Sequence, residues 1–194
     1  GKEWDAWSAG NPPSHEVTLP FTRLLAGPMD FTPGSMFSAQ PEDNRSTGAN
    51  PMGTGTRAYQ MALYVVFESP LQMLADNPVL YRREHPCTEF LAAVPTTWDS
   101  LRVLHAACGR EVVVARRKGD KWYVGGITND RPYTTEIALD FLPAGRTFTM
   151  TSFEDGVNAD LQATDYRKRV REVDASTVVK VEMVRNGGWA AVIE

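Results

Sequence analysis

Acidic and aromatic side chains crowd the start of the chain, in GKEWDAWSAGNPPSHEV, where Glu3, Asp5 and Glu16 stand among Trp4, Trp7 and His15. Carboxylates offer the hard oxygen ligands that calcium takes and can also carry protons, indoles can stack on the apolar faces of sugar rings, and an imidazole can hydrogen-bond a hydroxyl. Each group also has a plainer reading. Two tryptophans three apart more often form a packing pair on a helix, a His beside a Glu is more often a surface residue, and three scattered carboxylates make a weak metal signal on spacing alone. A further acid, Asp30, lies in LPFTRLLAGPMDFTPG between the breaks Gly27-Pro28 and Pro33-Gly34. The apolar run Leu24, Leu25, Ala26 is too brief for a free-standing helix and reads as a buried strand end. Met29, Asp30 and Phe31 would then follow its carboxyl end, where an α/β barrel builds its pocket. The plainer alternative is a stiff turn whose carboxylate caps the next segment.

Groups of this kind need elements to hold them. At 194 residues and 42% hydrophobic content, the chain is long enough to bury a core in one or two domains. Residues 1–18 read as an irregular loop over a pocket, and residues 35–54 as a long connection rich in breakers. Ala58, Met61, Ala62, Val65 and Val66 recur at helical spacing, with Tyr59, Leu63 and Phe67 adding a second apolar side, so the spacing predicts a largely buried helix. Thr54 or Thr56 would cap it, Pro70 would break it near Ser69, and residues 71–75 would add a short turn of helix. Residues 76–95 read as another connection. Beyond Val94-Pro95 the pattern turns to short alternating runs, clearest where Thr135, Ile137, Leu139 and Phe141 interleave with Glu136, Ala138 and Asp140. Runs at 101–107, 111–117, 121–128, 134–141, 147–153, 169–173, 177–184 and 189–193, separated by turns such as Lys118-Gly119-Asp120, predict an antiparallel sandwich. Trp122 and Tyr123 are neighbours on one of these strands, so they point to opposite faces and read as core before platform.

A net charge of −4 with acids and bases interspersed argues against a nucleic-acid partner. The basic cluster Arg167, Lys168, Arg169 and Arg171 interleaves with Val170 and Val173 and reads as the solvated face of a strand. No stretch has the apolar length of a membrane span, and no charged start with an apolar core marks a signal peptide. Cys87 and Cys108 lie in different segments without metal-ligand spacing, so neither a disulfide nor a metal site is indicated.

Taken together, the GKEW start, the LPFTR and GPMDFTPG segments, VVVARRKGDKWYVGGIT and Pro95-Thr96-Thr97-Trp98-Asp99 resemble the closing part of glycoside hydrolase family 97, the calcium-dependent α-glucosidases and α-galactosidases. The resemblance is close in the first third of the chain and looser beyond. It implies an α/β segment followed by an all-β domain: residues 1–95 as the last strand-helix segment of a (β/α)8 TIM barrel, and residues 96–194 as a C-terminal antiparallel β-sandwich. It implies that Glu3 is the general acid and also a calcium ligand, that Trp4, His15 and Asp30 meet an oligosaccharide substrate, and that the enzyme is periplasmic or secreted. The helix around 58–67 would be the barrel's last, packed back onto the strand ending near Asp30.

Glycoside hydrolysis takes two carboxyl groups, and in the family the second lies upstream of the Arg-Gly-x-Glu signature that GKEW resembles. The expectation is therefore a C-terminal part, inactive alone. Its apolar helix face at 58–67 would be left for the upstream part of the same enzyme, or for other copies of the chain, to cover. The competing expectation is a non-catalytic β-sandwich that binds carbohydrate or braces a neighbour, with residues 1–95 as a helical appendage. A hydrolase of another kind that uses Asp30 has only the barrel-rim argument behind it.

Overall fold

The computed structural model describes residues 11–47 and 51–194. Its centre is a six-stranded antiparallel sheet in the order β3-β4-β5-β10-β7-β8. The strands are β3 (Ser100–Ala107), β4 (Glu111–Lys118), β5 (Lys121–Thr128), β7 (Phe148–Asp155), β8 (Tyr166–Val173) and β10 (Gly188–Ile193). A second, two-stranded sheet pairs β6 (Tyr133–Ala138) with β9 (Val178–Met183). Alternation along each strand sends one set of side chains to each face. Val113, Ala115, Trp122, Val124, Met150, Trp189 and Ile193 join Ile137, Val179 and Val181 in a core beneath the small sheet. Val112, Val114, Tyr123, Ile127, Phe153 and Ala190 join a second core on the opposite face. Trp122 and Tyr123 thus enter different cores, as strand geometry requires. These strands match the alternating runs read from the sequence, and the eight-residue strand at 121–128 matches them end to end.

The second core is built by the N-terminal half. Helix α1 (Pro13–Glu16) leads through two short 3-10 turns, Leu19–Phe21 and Arg23–Ala26, into the Asp30 turn. Two-residue strands β1 (Ser38–Ala39) and β2 (Gly53–Thr54) pair in parallel. Helix α2 (Arg57–Val66) follows, its N-cap Thr56 accepting a hydrogen bond from the Tyr59 amide, and all ten of its residues are buried. It lies across β5 and β10. Contact is close enough that a Cβ on Gly188 would sit 2.3 Å from the Tyr59 Cα, so only glycine lets the helix backbone come this near the sheet. Helices α3 (Pro78–Arg83) and α4 (His85–Ala93) complete the layer.

Several expectations need correction. Residues 24–26 are a 3-10 turn rather than a buried strand end, and Leu25 is 79% exposed. Arg23 locks that turn by donating to the carbonyls of Gly27 and Pro28. Residues 71–75 are extended, not helical, because their backbone pairs with the Asp30 segment: Phe31 donates to Leu71, Met73 to Phe31 and Ala75 to Pro33. Residues 76–95 hold two helices, since Pro78 and Pro86 occupy first-turn positions where proline starts a helix, and Asn77 caps α3 by accepting from Val79 and Leu80. Regular barrel strands do not appear among the described residues, where parallel pairing is limited to β1 with β2 and the Phe31–Gln72 bridge. Helix α2 meets the Asp30 segment through Gln60 and Tyr64 and, just past its end, through Phe67, which packs edge-on against Phe31 at 4.8 Å. Its apolar face is covered by the sandwich sheet instead of being left open. The basic cluster is also more than a solvated face. Arg167, Arg169 and Arg171 converge on the nearly buried Glu154, at 3.8, 3.4 and 2.8 Å.

Candidate functional site

Two of the residues singled out in the sequence, Glu3 and Trp4, lie outside the described residues. The other two are His15 on α1 and Asp30 on the turn after Gly27-Pro28, and both are exposed. No side-chain hydrogen bond or ion pair holds either among the described residues. Their neighbours are another matter: Val17 and Leu19, just past His15, and Met29 and Phe31, on either side of Asp30, all enter one core. The scaffold therefore ties the α1 segment and the Asp30 turn together while leaving an imidazole and a carboxylate in solvent, free to meet a polyhydroxylated ligand. Among the described residues Asp30 caps nothing, in contrast to the plainer reading of it as a capping carboxylate.

The chain after Asp30 is held by a polar cradle. Gly34, at φ +83, passes Tyr64 so closely that a Cβ would fall 2.7 Å from its hydroxyl oxygen. Tyr64 Oη is 3.1 Å from the carbonyls of Pro33 and Met73. The Gly34 amide donates to Gln60 Oε1, and Tyr81 Oη donates to the Gly34 carbonyl. Asp76 Oδ2 accepts from the Met36 and Phe37 amides at 2.6 and 3.1 Å and from Ser35 Oγ at 3.2 Å. Arg57 reaches the Met36 carbonyl with two nitrogens and Glu84 with a third, at 2.9 Å. Burial raises the hydroxyl pKa of Tyr64 and of Tyr81, so both remain donors at any physiological pH.

A second buried carboxylate joins this layer to the sheet. Asp155, at the end of β7, takes the Thr56 hydroxyl on Oδ1 at 2.6 Å and the amides of Val184 and Gly188 on Oδ2 at 3.0 and 3.1 Å. Burial pushes its pKa up to about 7, against the downward pull of those three donors. The same Thr56 caps α2, so one carboxylate fixes the helix start to the β9–β10 turn. Asp155 also borders an open cleft of about 420 Å³ lined by Val157, Asp160, Arg167, Glu182 and Arg185. Among the described residues no aromatic ring lines that cleft, so they give it none of the stacking surface that sugar recognition favours.

Metal donors are sparse. Among the described residues no group of three His, Cys, Asp or Glu side chains could hold a metal ion. Cys87 is buried and Cys108 exposed, and both are free thiols. Sequence reasoning did not single out Asp76, Asp155, Gln60 or Tyr64. The Asp-Asn-Pro run at 76–78 carried a helix-start signal, whereas nothing local marks Asp155 in Glu-Asp-Gly as a buried hub.

Residues 97–194 match the family described as glycosyl-hydrolase 97 C-terminal, oligomerisation. Among curated relatives, a retaining α-galactosidase of Bacteroides thetaiotaomicron is 42% identical over 180 residues, 93% of this chain and 27% of its own length. A probable retaining α-galactosidase of Streptomyces bingchenggensis is 32% identical over 182 residues, 94% of this chain and 26% of its own length. Among solved structures, a glycoside hydrolase family 97 enzyme of Pseudoalteromonas sp. strain K8 in complex with acarbose superposes on the whole chain at TM-score 0.87 and 38% identity, using 30% of its own length. A variant of that enzyme has been solved with panose. The chain thus spans between about a quarter and a third of each of these relatives.

Proposed function

The chain belongs to glycoside hydrolase family 97, and from that premise we propose that it is the closing part of a glycosidase that removes terminal α-galactosyl groups with retention of configuration. The likeness to the Bacteroides retaining α-galactosidase carries this reading. Double displacement takes one carboxylate to attack the anomeric carbon and one carboxylic acid to protonate the departing oxygen, later serving as base toward water. Glu3 is the proposed acid. The nucleophile would come from the part of the enzyme that precedes this chain.

For Glu3 to act as an acid it must keep its proton near neutral pH, which calls for burial or a neighbouring carboxylate. Trp4 is proposed to stack on the sugar ring, while His15 and Asp30 bind its hydroxyls. Their exposure beside a shared core supports that role. Calcium is proposed with Glu3 as one ligand, where it would stabilise developing negative charge. The described residues supply no cluster for it, so its other ligands would lie in the preceding part, and no proton transfer described here passes through it. The sandwich is proposed to hold copies of the enzyme together, in keeping with the description of the family that residues 97–194 match. A periplasmic or secreted location rests on the same family likeness.

Hydrolysis of an α-galactosyl disaccharide by the full-length enzyme, followed by proton NMR, tests the proposal. The first-formed galactose should be the α-anomer; β-galactose first, or no release, contradicts it. An α-glucoside is the second reading, favoured by the panose complex of the Pseudoalteromonas variant. A kcat/KM higher on the glucosyl than on the galactosyl disaccharide would select it.

A further inference from the structure

The turn that carries Asp30 continues directly into residues 33–37, and this stretch is held differently from an ordinary surface turn. A loop of this kind usually satisfies its peptide groups with water or with its own backbone. Here side chains do much of that work: Gln60 takes the Gly34 amide, Tyr81 the Gly34 carbonyl, Arg57 the Met36 carbonyl, and Asp76 the amides of Met36 and Phe37. Asp76 is central because one of its oxygens gathers Ser35 Oγ, the Met36 amide and the Phe37 amide, while its own amide donates to Tyr81 Oη at 3.1 Å. The Asp76 carboxylate therefore closes a ring: Asp76 amide to Tyr81, Tyr81 to Gly34, and residues 35–37 back to Asp76. Its other oxygen, Oδ1, is buried and has no hydrogen-bond partner among the described residues.

We propose that Asp76 is a positioning residue for the sugar-binding rim: in the whole enzyme it fixes residues 34–37 and, through them, the direction in which Asp30 presents its carboxylate to substrate. The inference rests on the glycosidase reading, in which Asp30 meets a sugar hydroxyl. Asp76 touches no substrate in this role. Positioning of this sort matters because a displacement of about 1 Å in a substrate-holding group can cost on the order of a hundredfold in rate. The one-sided use of the carboxylate sets up a conservative control. Asp76→Asn can place its amide oxygen where Oδ2 accepts all three hydrogen bonds and its NH2 group where Oδ1 has no partner, whereas Asp76→Ala removes every acceptor.

The test uses the full-length enzyme with Asp76→Asn and Asp76→Ala, read by hydrogen exchange and by steady-state kinetics on an α-galactosyl disaccharide. Asp76→Ala should speed exchange in a peptide covering residues 34–37 by about tenfold or more, leave a peptide covering 57–66 as protected as in the wild type, and lower kcat/KM by about ten- to a hundredfold. Asp76→Asn should restore both readouts to within about threefold of wild type. Unchanged exchange in Asp76→Ala would overturn the proposal, and so would faster exchange with unchanged kcat/KM, since the turn would then be held without bearing on substrate. Should Asp76→Ala also expose the 57–66 peptide, Tyr81→Phe takes its place. That variant removes only the donor to Gly34 and the acceptor for Asp76, and should give the same pattern more weakly, while no change in either readout refutes the idea. Failure of the glycosidase reading shows separately, as a wild-type enzyme that releases neither galactose nor glucose; the exchange comparison then decides by itself whether Asp76 holds the turn.

Discussion

Replacing Asp155 by asparagine isolates the electrostatic cost of the carboxylate that joins helix α2 to the sheet. The folded carboxyl sits at about 7 where an exposed aspartate sits near 3.8, chiefly because burial disfavours its charged form. The sign follows from proton binding. The folded state holds this proton more tightly than the unfolded chain does, so its contribution to stability is complete below about pH 3.8, is lost as pH rises from there to about 7, and is level above. At about 1.4 kcal/mol per pH unit, that window corresponds to about 4 kcal/mol. An asparagine cannot titrate, so the variant lacks this loss. It keeps an oxygen for the amides of Val184 and Gly188 but turns an NH2 group toward Thr56 Oγ1, so the Thr56 hydroxyl loses the acceptor it donates to. That mismatch costs about 1–3 kcal/mol at every pH. The variant should therefore be the less stable protein near pH 4 and should match or exceed the wild type near pH 8. Urea unfolding of both proteins at intervals from pH 4 to 8 measures this directly, and subtracting the two curves cancels every other titrating group. A difference that stays constant across the range would refute the assignment of a raised pKa to Asp155.

Two further outcomes follow from the packing. Gly188→Ala would drive a Cβ to 2.3 Å from the Tyr59 Cα, a backbone atom that cannot step aside, so it should destabilise the fold by about 3 kcal/mol or more, visible as a lowered urea midpoint or loss of soluble protein. Native protein should react quickly with a thiol reagent only at the exposed Cys108, because Cys87 is buried and desolvation raises its pKa; denaturant should reveal the second thiol, and two fast thiols in the native state would contradict the packing around α4.

Legibility in the sequence followed the range of the interactions. Strands that alternate in hydrophobicity announced themselves, because the face each residue takes depends only on its parity along the strand, and the separate burial of Trp122 and Tyr123 came from the same rule. The helix around Ala58 was equally visible, but its partner was not: a buried apolar stripe does not say which sheet it meets, and the glycine that admits it, Gly188, lies well over a hundred residues downstream. Residues 76–95 read as a connection, although Asn77 before Pro78 is a local helix-start signal. Residues 71–75 took an extended form through pairing with residues 31–33, a non-local choice that their own composition could not reveal. At the site, the exposure of Asp30 between two stiff breaks agrees with the turn chemistry of Gly27-Pro28 and Pro33-Gly34. The cradle beneath it is built from Gln60, Tyr64, Asp76 and Tyr81, polar residues that patterning alone would assign to the surface.

The proton donation to the leaving oxygen proposed for Glu3 is tested by Glu3→Gln in the full-length enzyme. On an unactivated α-galactosyl disaccharide, whose sugar leaving group needs protonation, kcat should fall by about a hundredfold or more, whereas an aryl α-galactoside with an acidic phenol should lose far less. Equal turnover of the disaccharide by wild type and variant would contradict the account.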